Sequence, residues 1–275
     1  MNTGKYAKDY TVAEMMMVSA AHELKDGETI IVGTGLPLLA SLLAKKTFAP
    51  NIRMIYEAGI IDAKPARLPF SIMDPCLAYG SAMIVHGLSE TFSLFLQAGY
   101  VDVGFIGGAQ VDKYGNVNST VIGEYYNPIR RLPGSGGAND IASFCKRTLI
   151  IMPHEKRRFV ERVDYITSPG YLDGSPNARE KAGLRGGGPT AVVSTMGVLR
   201  FDNNTKEMYL DAYYPGITVE QIKANTGWDL KISPNVHEAK TPTEEEIEIL
   251  RKLDPKGMFL RKKEFIKTLE EQMQR

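Results

Sequence analysis

Residues 28–59, "ETIIVGTGLPLLASLLAKKTFAPNIRMIYEAG", contain two short apolar runs on either side of a compact helical segment. The runs at 28–33 and 51–59 combine β-branched, aromatic and other apolar residues, which favours strands, whereas residues 36–46 have the apolar content and spacing typical of a helix. Because a helical segment of about a dozen residues lies between the two runs, the connection is a crossover and the strands are expected to be parallel. The stretch therefore predicts a βαβ unit.

The rest of the chain continues this alternation of helices and strands. Thr11 begins a helix over 11–25, with Glu14 three positions on as its partner in a capping box. Further helices are expected at 89–99, 140–147, 218–227, 241–255 and 262–275, and further strands at 101–112, 148–154, 191–202 and 207–216. The alternation predicts an α/β fold, in which an open, mostly parallel sheet carries helices on both faces.

The chain is expected to form a single domain over residues 1–275. Residues 168–190 are poor in apolar side chains and indicate a looser excursion between two strands. The charged, amphipathic pattern at 243–275 predicts a helical C-terminal tail.

The composition is that of an ordinary soluble protein. With 43% hydrophobic and 24% charged residues the chain can bury a sizeable core, and its net charge of +1 favours neither nucleic acid nor a membrane surface. No apolar run approaches the ~18 residues of a membrane span, and no apolar stretch follows the N-terminal lysines, so a cytoplasmic protein is expected. The two cysteines and four histidines share no metal-ligand spacing. We expect Cys76 and Cys145 to be small core residues and His154 to lie at the surface.

Glu57 interrupts the second apolar run of the βαβ unit. A carboxylate buried among apolar residues costs several kcal/mol unless it is paired or neutral. In open α/β sheets ligands bind beyond the carboxyl ends of the strands, and Glu57 lies at that end of the second strand. Glu57 is therefore either a salt-bridge partner or a functional carboxylate.

Two further elements follow strands and could meet Glu57 in one crevice. One is the side-chain amide of Gln110, in "GGAQVD", and the other is the row of peptide N–H groups in "GSGG", residues 134–137, called here the glycine loop. A carboxylate with such donors would act as a nucleophile with an oxyanion hole. Alternatively, the glycine loop is a plain turn or a phosphate site at a helix N-terminus. The loop residues are Gly134, Ser135, Gly136 and Gly137.

Five longer motifs occur in order along the chain. They are "YEAGIID" (56–62), "SIMDP" (71–75), "DVGFIGGAQVDKYGNVNST" (102–120), "RLPGSGGANDIA" (131–142) and "YYPGITVEQIKANTGW" (213–228). Together they resemble the β subunit of family I coenzyme A transferases, and the glutaconate type in particular. The tripeptide E-A-G alone is a weak signal, but it becomes specific when the glutamine and glycine-loop motifs follow at these spacings.

The resemblance implies that Glu57 is a nucleophile that attacks an acyl-CoA thioester and relays CoA through an anhydride and a glutamyl-CoA thioester. It implies that Gln110, Gly136 and Gly137 bind the oxyanion and thioester, and that Gly134 and Ser135 belong to a CoA and substrate loop. The implied substrates are an acyl-CoA and a short-chain or dicarboxylic acid, without a bound cofactor or metal. The implied partner is an α subunit, in an α₂β₂ assembly or a multiple of it.

Other functions remain open at this point. Relatives of such subunits resemble acyl-CoA ring-opening hydrolases of steroid catabolism and an acyl-CoA decarboxylase that has cysteine in place of the glutamate. The glutamate at position 57 argues against the decarboxylase pattern. A ligand-sensing domain without catalysis is the third alternative, although a sensor would not need a buried carboxylate beside an oxyanion hole.

Overall fold

The computed structural model describes residues 5–65 and 67–260, which group into two compact units. The first unit combines the chain up to Leu94 with the residues from Lys240 onward, and the second spans Phe95–Ala239. The helices are α1 (Val12–His22), α2 (Leu36–Lys46), α3 (Leu88–Glu90), α4 (Ala138–Phe144), α5 (Ala178–Lys181), α6 (Val219–Ala224) and α7 (Glu244–Leu253). The strands are β1 (Thr29–Val32), β2 (Arg53–Tyr56), β3 (Ile60–Ile61), β4 (Met83–Ile84), β5 (Val103–Ile106), β6 (Gln110–Val111), β7 (Val117–Asn118), β8 (Val121–Gly123), β9 (Pro128–Arg131), β10 (Arg147–Met152), β11 (Pro189–Ser194), β12 (Gly197–Phe201), β13 (Met208–Tyr213) and β14 (Lys231–Glu238). A 3₁₀ turn covers Pro75–Leu77, and a π-helical segment covers Thr91–Gln97.

The first unit is built on the βαβ unit that the sequence predicts. β1 and β2 pair in parallel, with Thr29 opposite Arg53 and Val32 opposite Tyr56, and α2 forms the crossover. β3 and β4 extend the sheet with antiparallel pairings, so the strand order is β1-β2-β3-β4. The carboxyl end of β2 therefore opens into a hairpin instead of a second crossover.

Three helices of the first unit pack on one another: α1, α2 and α7. The predicted capping box of α1 is confirmed, because Thr11 Oγ1 accepts from Glu14 N at 3.2 Å and Glu14 Oε2 accepts from Thr11 N at 2.7 Å. The other carboxylate oxygen of Glu14 accepts from Arg251 Nε on α7 at 2.7 Å. The tail predicted at 243–275 thus begins with a docked helix, and its part at 262–275 lies outside the described residues.

The second unit has a parallel centre. β10 pairs in parallel with β5 and with β11, while β12 and β13 continue antiparallel and β14 runs parallel to β13. The strand order is β14-β13-β12-β11-β10-β5, and α4 packs on β5 and β10. These pairings confirm the predicted α/β class and its open sheet.

One predicted strand, at 191–202, is wrong in its continuity. The chain reverses between β11 and β12, where the hydroxyl of Ser194 accepts from the backbone N–H groups of Met196 and Gly197, both at 3.2 Å. A Cβ at Gly197 would lie 2.2 Å from Ala212 O, so the turn needs glycine there. The turn carries none of the Asn-Gly or Asp-Gly pairs that mark most tight hairpins, and the apolar run hides it.

Residues 168–190 are tied down by a buried cation. The guanidinium of Arg179, on α5, donates to the carbonyl oxygens of Ala142, Pro169, Gly170 and Gly186 at 2.7–3.0 Å. Arg179 is 8% exposed, and burial lowers the pKa of its guanidinium. Hydrogen bonds from Arg179 to these carbonyl groups therefore order a segment that has few apolar side chains of its own.

His154, which the sequence places at the surface, is completely buried. Its ring stacks on Phe159 with centroids 3.8 Å apart, and its nitrogens lie 3.0 Å from the hydroxyls of Ser194 and Thr226. Burial lowers its pKa to about 3, so the ring is neutral at physiological pH. The charged residues that follow it in sequence conceal a core position.

Candidate active site

Glu57 lies at the carboxyl end of β2, in a tight turn that leads into β3. Gly59 N donates to Tyr56 O at 2.9 Å and closes the turn, and Gly59 has a φ of +92°. A Cβ on Gly59 would lie 2.7 Å from Val85 O, because β4 passes directly behind the turn. The E-A-G sequence is thus what the local backbone requires: a glycine two residues after the acid lets the chain reverse and leaves Glu57 at the strand end.

The carboxylate of Glu57 is half-buried and has no hydrogen bond or ion pair to any of residues 5–65 and 67–260. Burial alone raises its pKa above the ordinary value for a glutamate. The salt-bridge alternative for Glu57 is therefore not realised among the described residues. A carboxylate that has lost part of its hydration without gaining a partner is a stronger nucleophile than one in water.

The loop between β3 and β4 is held by Asp74, in the "SIMDP" motif. Arg67 donates to both carboxylate oxygens of Asp74, at 2.7 and 3.0 Å, and the backbone N–H groups of Phe70 and Cys76 donate to the same carboxylate. The hydrogen bonds from Arg67 hold the pKa of Asp74 far below its usual range. This ion pair fixes the loop that ends in β4, and β4 in turn supports the Glu57 turn.

The two cysteines differ in environment. Cys145 is fully buried, as expected, and burial strongly raises the pKa of its thiol. Cys76 is half-buried beside Asp74 instead of lying in the core, and burial raises the pKa of its thiol as well. Neither environment favours a thiolate nucleophile.

Gln110 lies in the two-stranded ribbon of β6 and β7, directly opposite Asn118. The side chain of Gln110 is 6% exposed. Its amide oxygen accepts from Asn118 Nδ2 at 2.7 Å and from Asp164 N at 3.1 Å, and its amide nitrogen donates to Asp164 Oδ2 at 3.1 Å. Sequence reasoning identified Gln110 but missed Asn118 and Asp164, because only the ribbon and its neighbouring segment bring these residues together.

The glycine loop follows β9 and leads into α4. Gly134 has a φ of +96° and Gly136 a φ of +49°, and a Cβ on either would meet nothing within 4 Å. The peptide N–H groups of Ser135, Gly136 and Gly137 have no acceptor in the described part of the chain. Positive φ at alternate residues turns successive N–H groups toward the same side, which makes a concave site for an anion.

The second unit brings Gln110 and the glycine loop together through consecutive residues of one segment. Asn118 binds Gln110, and the next residue, Ser119, binds Gly134 twice: Ser119 O accepts from Gly134 N at 2.8 Å, and Ser119 Oγ donates to Gly134 O at 2.9 Å. Glu57 belongs to the first unit. Its meeting with the donors of the second unit stays a prediction.

Two open cavities of the described chain are lined by neither Glu57, Gln110 nor the glycine loop. A cavity of about 760 Å³ lies between α2 and α7 in the first unit, and one of about 770 Å³ lies beside Asp112 and Tyr114 in the second.

Within residues 5–65 and 67–260 no group of three or more histidine, cysteine, aspartate or glutamate side chains is placed to hold a metal ion. In the same part of the chain, no helix has the length and apolar character needed to cross a bilayer.

Residues 13–225 match the family model described as coenzyme A transferase. The B subunit of the glutaconate CoA-transferase of Acidaminococcus fermentans is 44% identical over 257 residues, which are 92% of this chain and 96% of that one. The B subunit of the 3-oxoadipate CoA-transferase of Pseudomonas knackmussii is also 44% identical, over 245 residues, 89% of this chain and 94% of the relative.

Comparison of the fold also places this chain beside a glutaconate CoA-transferase. The crystal structure of glutaconate coenzyme A-transferase from Acidaminococcus fermentans superimposes with a TM-score of 0.86 and 42% identity, covering 94% of this chain and all of the matched chain. A cholesterol ring-cleaving hydrolase subunit of Mycobacterium tuberculosis is 26% identical over 264 residues, 90% of this chain and 96% of the relative. The much higher identity to the two transferase subunits favours transfer over hydrolysis.

Proposed function

The chain belongs to the coenzyme A transferase family and is a CoA-transferase, and we propose that it supplies the glutamate nucleophile of a two-subunit enzyme for short dicarboxylic acids. The observation that carries the proposal is the half-buried Glu57 at the end of β2, with a raised pKa and no partner among the described residues. Both 44% identical relatives are B subunits.

Glu57 works as a covalent relay. Its carboxylate attacks the thioester carbonyl of an acyl-CoA, and the C–S bond breaks to give an acyl-glutamyl anhydride and CoA thiolate. The thiolate then attacks the glutamyl carbonyl, which releases the first carboxylate and leaves a glutamyl-CoA thioester. A second carboxylate attacks this thioester, and the same steps in reverse return the free glutamate and a new acyl-CoA.

Each tetrahedral intermediate on this path carries an oxyanion that needs donors in place before the reaction. The N–H groups of Ser135, Gly136 and Gly137 are unoccupied donors in the described chain, and Gln110 contributes a buried amide. One well-placed donor of this kind is worth about 3–4 kcal/mol of transition-state stabilisation. Gly134 gives the glycine loop its shape through its two bonds to Ser119 and belongs to the CoA and substrate side of the loop.

The substrate class follows from the relatives. Glutaconate and 3-oxoadipate, the acids in the names of the two 44% identical subunits, are both short dicarboxylic acids. A dicarboxylate of about five or six carbons, with an acyl-CoA as CoA donor, is the substrate pair for this chain.

The partner is an A subunit. Both close relatives are B subunits by name, and an anhydride intermediate survives only where water is excluded. Glu57 is only half-buried in the described chain, and a second chain packed over it would exclude water from the site. An α₂β₂ assembly, or a multiple of it, is the expected stoichiometry.

The experiment uses the chain co-purified with its A subunit. The enzyme is incubated with acetyl-CoA or succinyl-CoA without an acceptor and digested at low pH, and the peptide containing Glu57 should gain the mass of CoA less one water, as a thioester requires. Glu57→Gln should abolish transfer to glutaconate and to 3-oxoadipate without changing the melting temperature. Glu90→Gln, at a half-buried glutamate of the same unit with no hydrogen bond in the described residues, is the control and should keep full activity. Full activity of Glu57→Gln would refute the proposal.

A further inference from the structure

The side-chain amide of Gln110 has only one orientation in which all its contacts are attractive. Both lone pairs of its amide oxygen are occupied, by Asn118 Nδ2 at 2.7 Å and by Asp164 N at 3.1 Å, and its nitrogen faces Asp164 Oδ2. A rotation of the amide by half a turn would set its NH₂ against two donors and its oxygen against a carboxylate. Three attractive contacts would become three repulsive ones, so the network fixes which end of the amide points outward.

Asn118 is itself held in place by the chain around it. Its amide nitrogen also donates to Val121 O at 2.6 Å, and its amide oxygen accepts from the backbone N–H groups of Thr120 at 3.0 Å and Val121 at 3.3 Å. Every hydrogen-bonding position of this fully buried side chain is therefore used. Asn118 cannot turn to release Gln110.

Asp164 is placed by the backbone on both sides of it. Val160 N donates to Val111 O at 3.0 Å, and Ser168 N donates to Val117 O at 3.0 Å, so the segment 160–168 is pinned to both strands of the β6–β7 ribbon. Gly123 N donates to the same oxygen of Asp164 that binds Gln110, at 2.9 Å. The aspartate therefore approaches Gln110 with its backbone N–H and its carboxylate together.

One polar group of Gln110 is left over. Nε2 carries two hydrogens, one of which is used by Asp164, and the second finds no acceptor in the described residues. The side chain is 6% exposed, and a buried donor without an acceptor is costly unless a ligand completes it. The free N–H is thus presented in one direction by Asn118, whose hydrogen-bonding positions are all used, and by the exposed Asp164, whose segment is pinned on both sides.

We propose that Asp164 is a positioning residue, which holds the Gln110 amide so that its free N–H donates to the reacting carbonyl oxygen. The inference rests on the proposed function, since it assigns a task to a residue that acts through Gln110. The carboxylate charge does not help directly, because a negative group near an oxyanion opposes it. What the Asp164 side chain contributes is an acceptor for Gln110 Nε2, beside the hydrogen bond that its backbone N–H donates, and a neutral acceptor in the same place would do equally well.

Two substitutions of Asp164 test the proposal, because only one of them keeps an uncharged acceptor for Gln110. Asp164→Ala removes the acceptor, whereas Asp164→Asn keeps an oxygen for Gln110 and Gly123 and removes the charge. In the enzyme assembled with its A subunit, with succinyl-CoA and glutaconate, we expect Gln110→Ala to lower kcat about 100-fold. Asp164→Ala should lower kcat about 10-fold, since a misplaced donor loses most of its effect. Asp164→Asn should stay within about threefold of the wild type, and KM should change little in all three variants.

The double variant decides whether Asp164 acts through Gln110. Gln110→Ala with Asp164→Ala should be no slower than Gln110→Ala alone, because the second change removes support for a group that is already gone. Asp202→Ala is the matched control: Asp202 is another aspartate of the second unit that accepts from two backbone N–H groups, and its loss should leave kcat unchanged.

Four outcomes would overturn the inference: a wild-type kcat for Asp164→Ala, losses that multiply in the double variant, a loss in Asp164→Asn as large as in Asp164→Ala, or a loss in Asp164→Ala that follows a lowered melting temperature. Full activity of Gln110→Ala, with Glu57→Gln inactive, would also overturn it but would leave the proposed function intact. Activity of Glu57→Gln would instead remove the proposed function itself.

Discussion

Glu14 and Glu246 occupy the same position in two helices and make the same pair of contacts. Each is the third residue of its helix and caps it, through Thr11 in α1 and Thr243 in α7. Each then uses its other oxygen to bind the last turn of the opposite helix, Glu14 to Arg251 and Glu246 to His22. The relation is reciprocal because the helices run antiparallel, and it locks α7 onto α1.

The Glu14 contact should contribute measurably to the stability of the first unit. Glu14→Gln removes a nearly buried charge that binds both Arg251 and the N-terminus of α1, and we expect the free energy of unfolding to fall by about 1–3 kcal/mol. Urea unfolding at pH 7 measures the change. Glu248→Gln is the control, because Glu248 pairs with Lys252 on the exposed side of α7, and such pairs contribute at most about 1 kcal/mol. Equal losses in the two variants would contradict the assignment.

The same contact should make stability depend on pH. Burial raises the pKa of Glu14, but the hydrogen bonds from Arg251 and Thr11 outweigh it, and the net pKa is lowered. A carboxylate whose pKa is lower in the folded state stabilises the fold fully above its unfolded pKa of about 4.3 and loses this contribution as the pH falls through the folded value. The difference in unfolding free energy between the wild type and Glu14→Gln should therefore shrink between about pH 5 and pH 3. A constant difference over that range would contradict the pKa shift.

The turn after Glu57 should tolerate no side chain at Gly59. Gly59→Ala puts a Cβ 2.7 Å from Val85 O at a φ of +92°, so we expect a loss of about 3 kcal/mol or more, with a fall in kcat because Glu57 moves. Gly27→Ala is the matched control: Gly27 has a φ of +80° and nothing within 4 Å of its Cβ, so only backbone strain of about 1–2 kcal/mol applies. The melting temperatures and kcat of the two variants distinguish the effects. Similar values in both would show that Val85 does not restrict the turn.

A covalent relay at Glu57 requires ping-pong kinetics, because the first acid leaves before the second binds. Initial rates at several fixed glutaconate concentrations should give parallel double-reciprocal lines against the acyl-CoA. Acyl-CoA consumed without any acceptor in excess of one equivalent per enzyme would instead favour the hydrolase alternative, and intersecting lines would exclude the relay.

Much of the fold was accessible from local patterns. The spacing of apolar runs in 28–59 predicted the parallel β1–β2 pair and the strand-end position of Glu57, and both are confirmed, because a crossover of that length leaves few other geometries. The family resemblance that the five motifs indicated is confirmed as well. What local patterns missed depends on tertiary packing: the hairpin at Ser194, the burial of His154 and the place of Asp164 beside Gln110.

The buried guanidinium of Arg179 links parts of the chain that are far apart in sequence. It holds Ala142, in the helix that follows the glycine loop, together with Pro169, Gly170 and Gly186 in the segment 168–190. Because one guanidinium binds all four carbonyl groups, a change that moves any one of them also disturbs its hydrogen bonds to the other three. The segment 168–190 would look to an engineer like a replaceable surface loop. Insertions or grafts there should nevertheless shift the helix that holds Ala142, and with it the glycine loop.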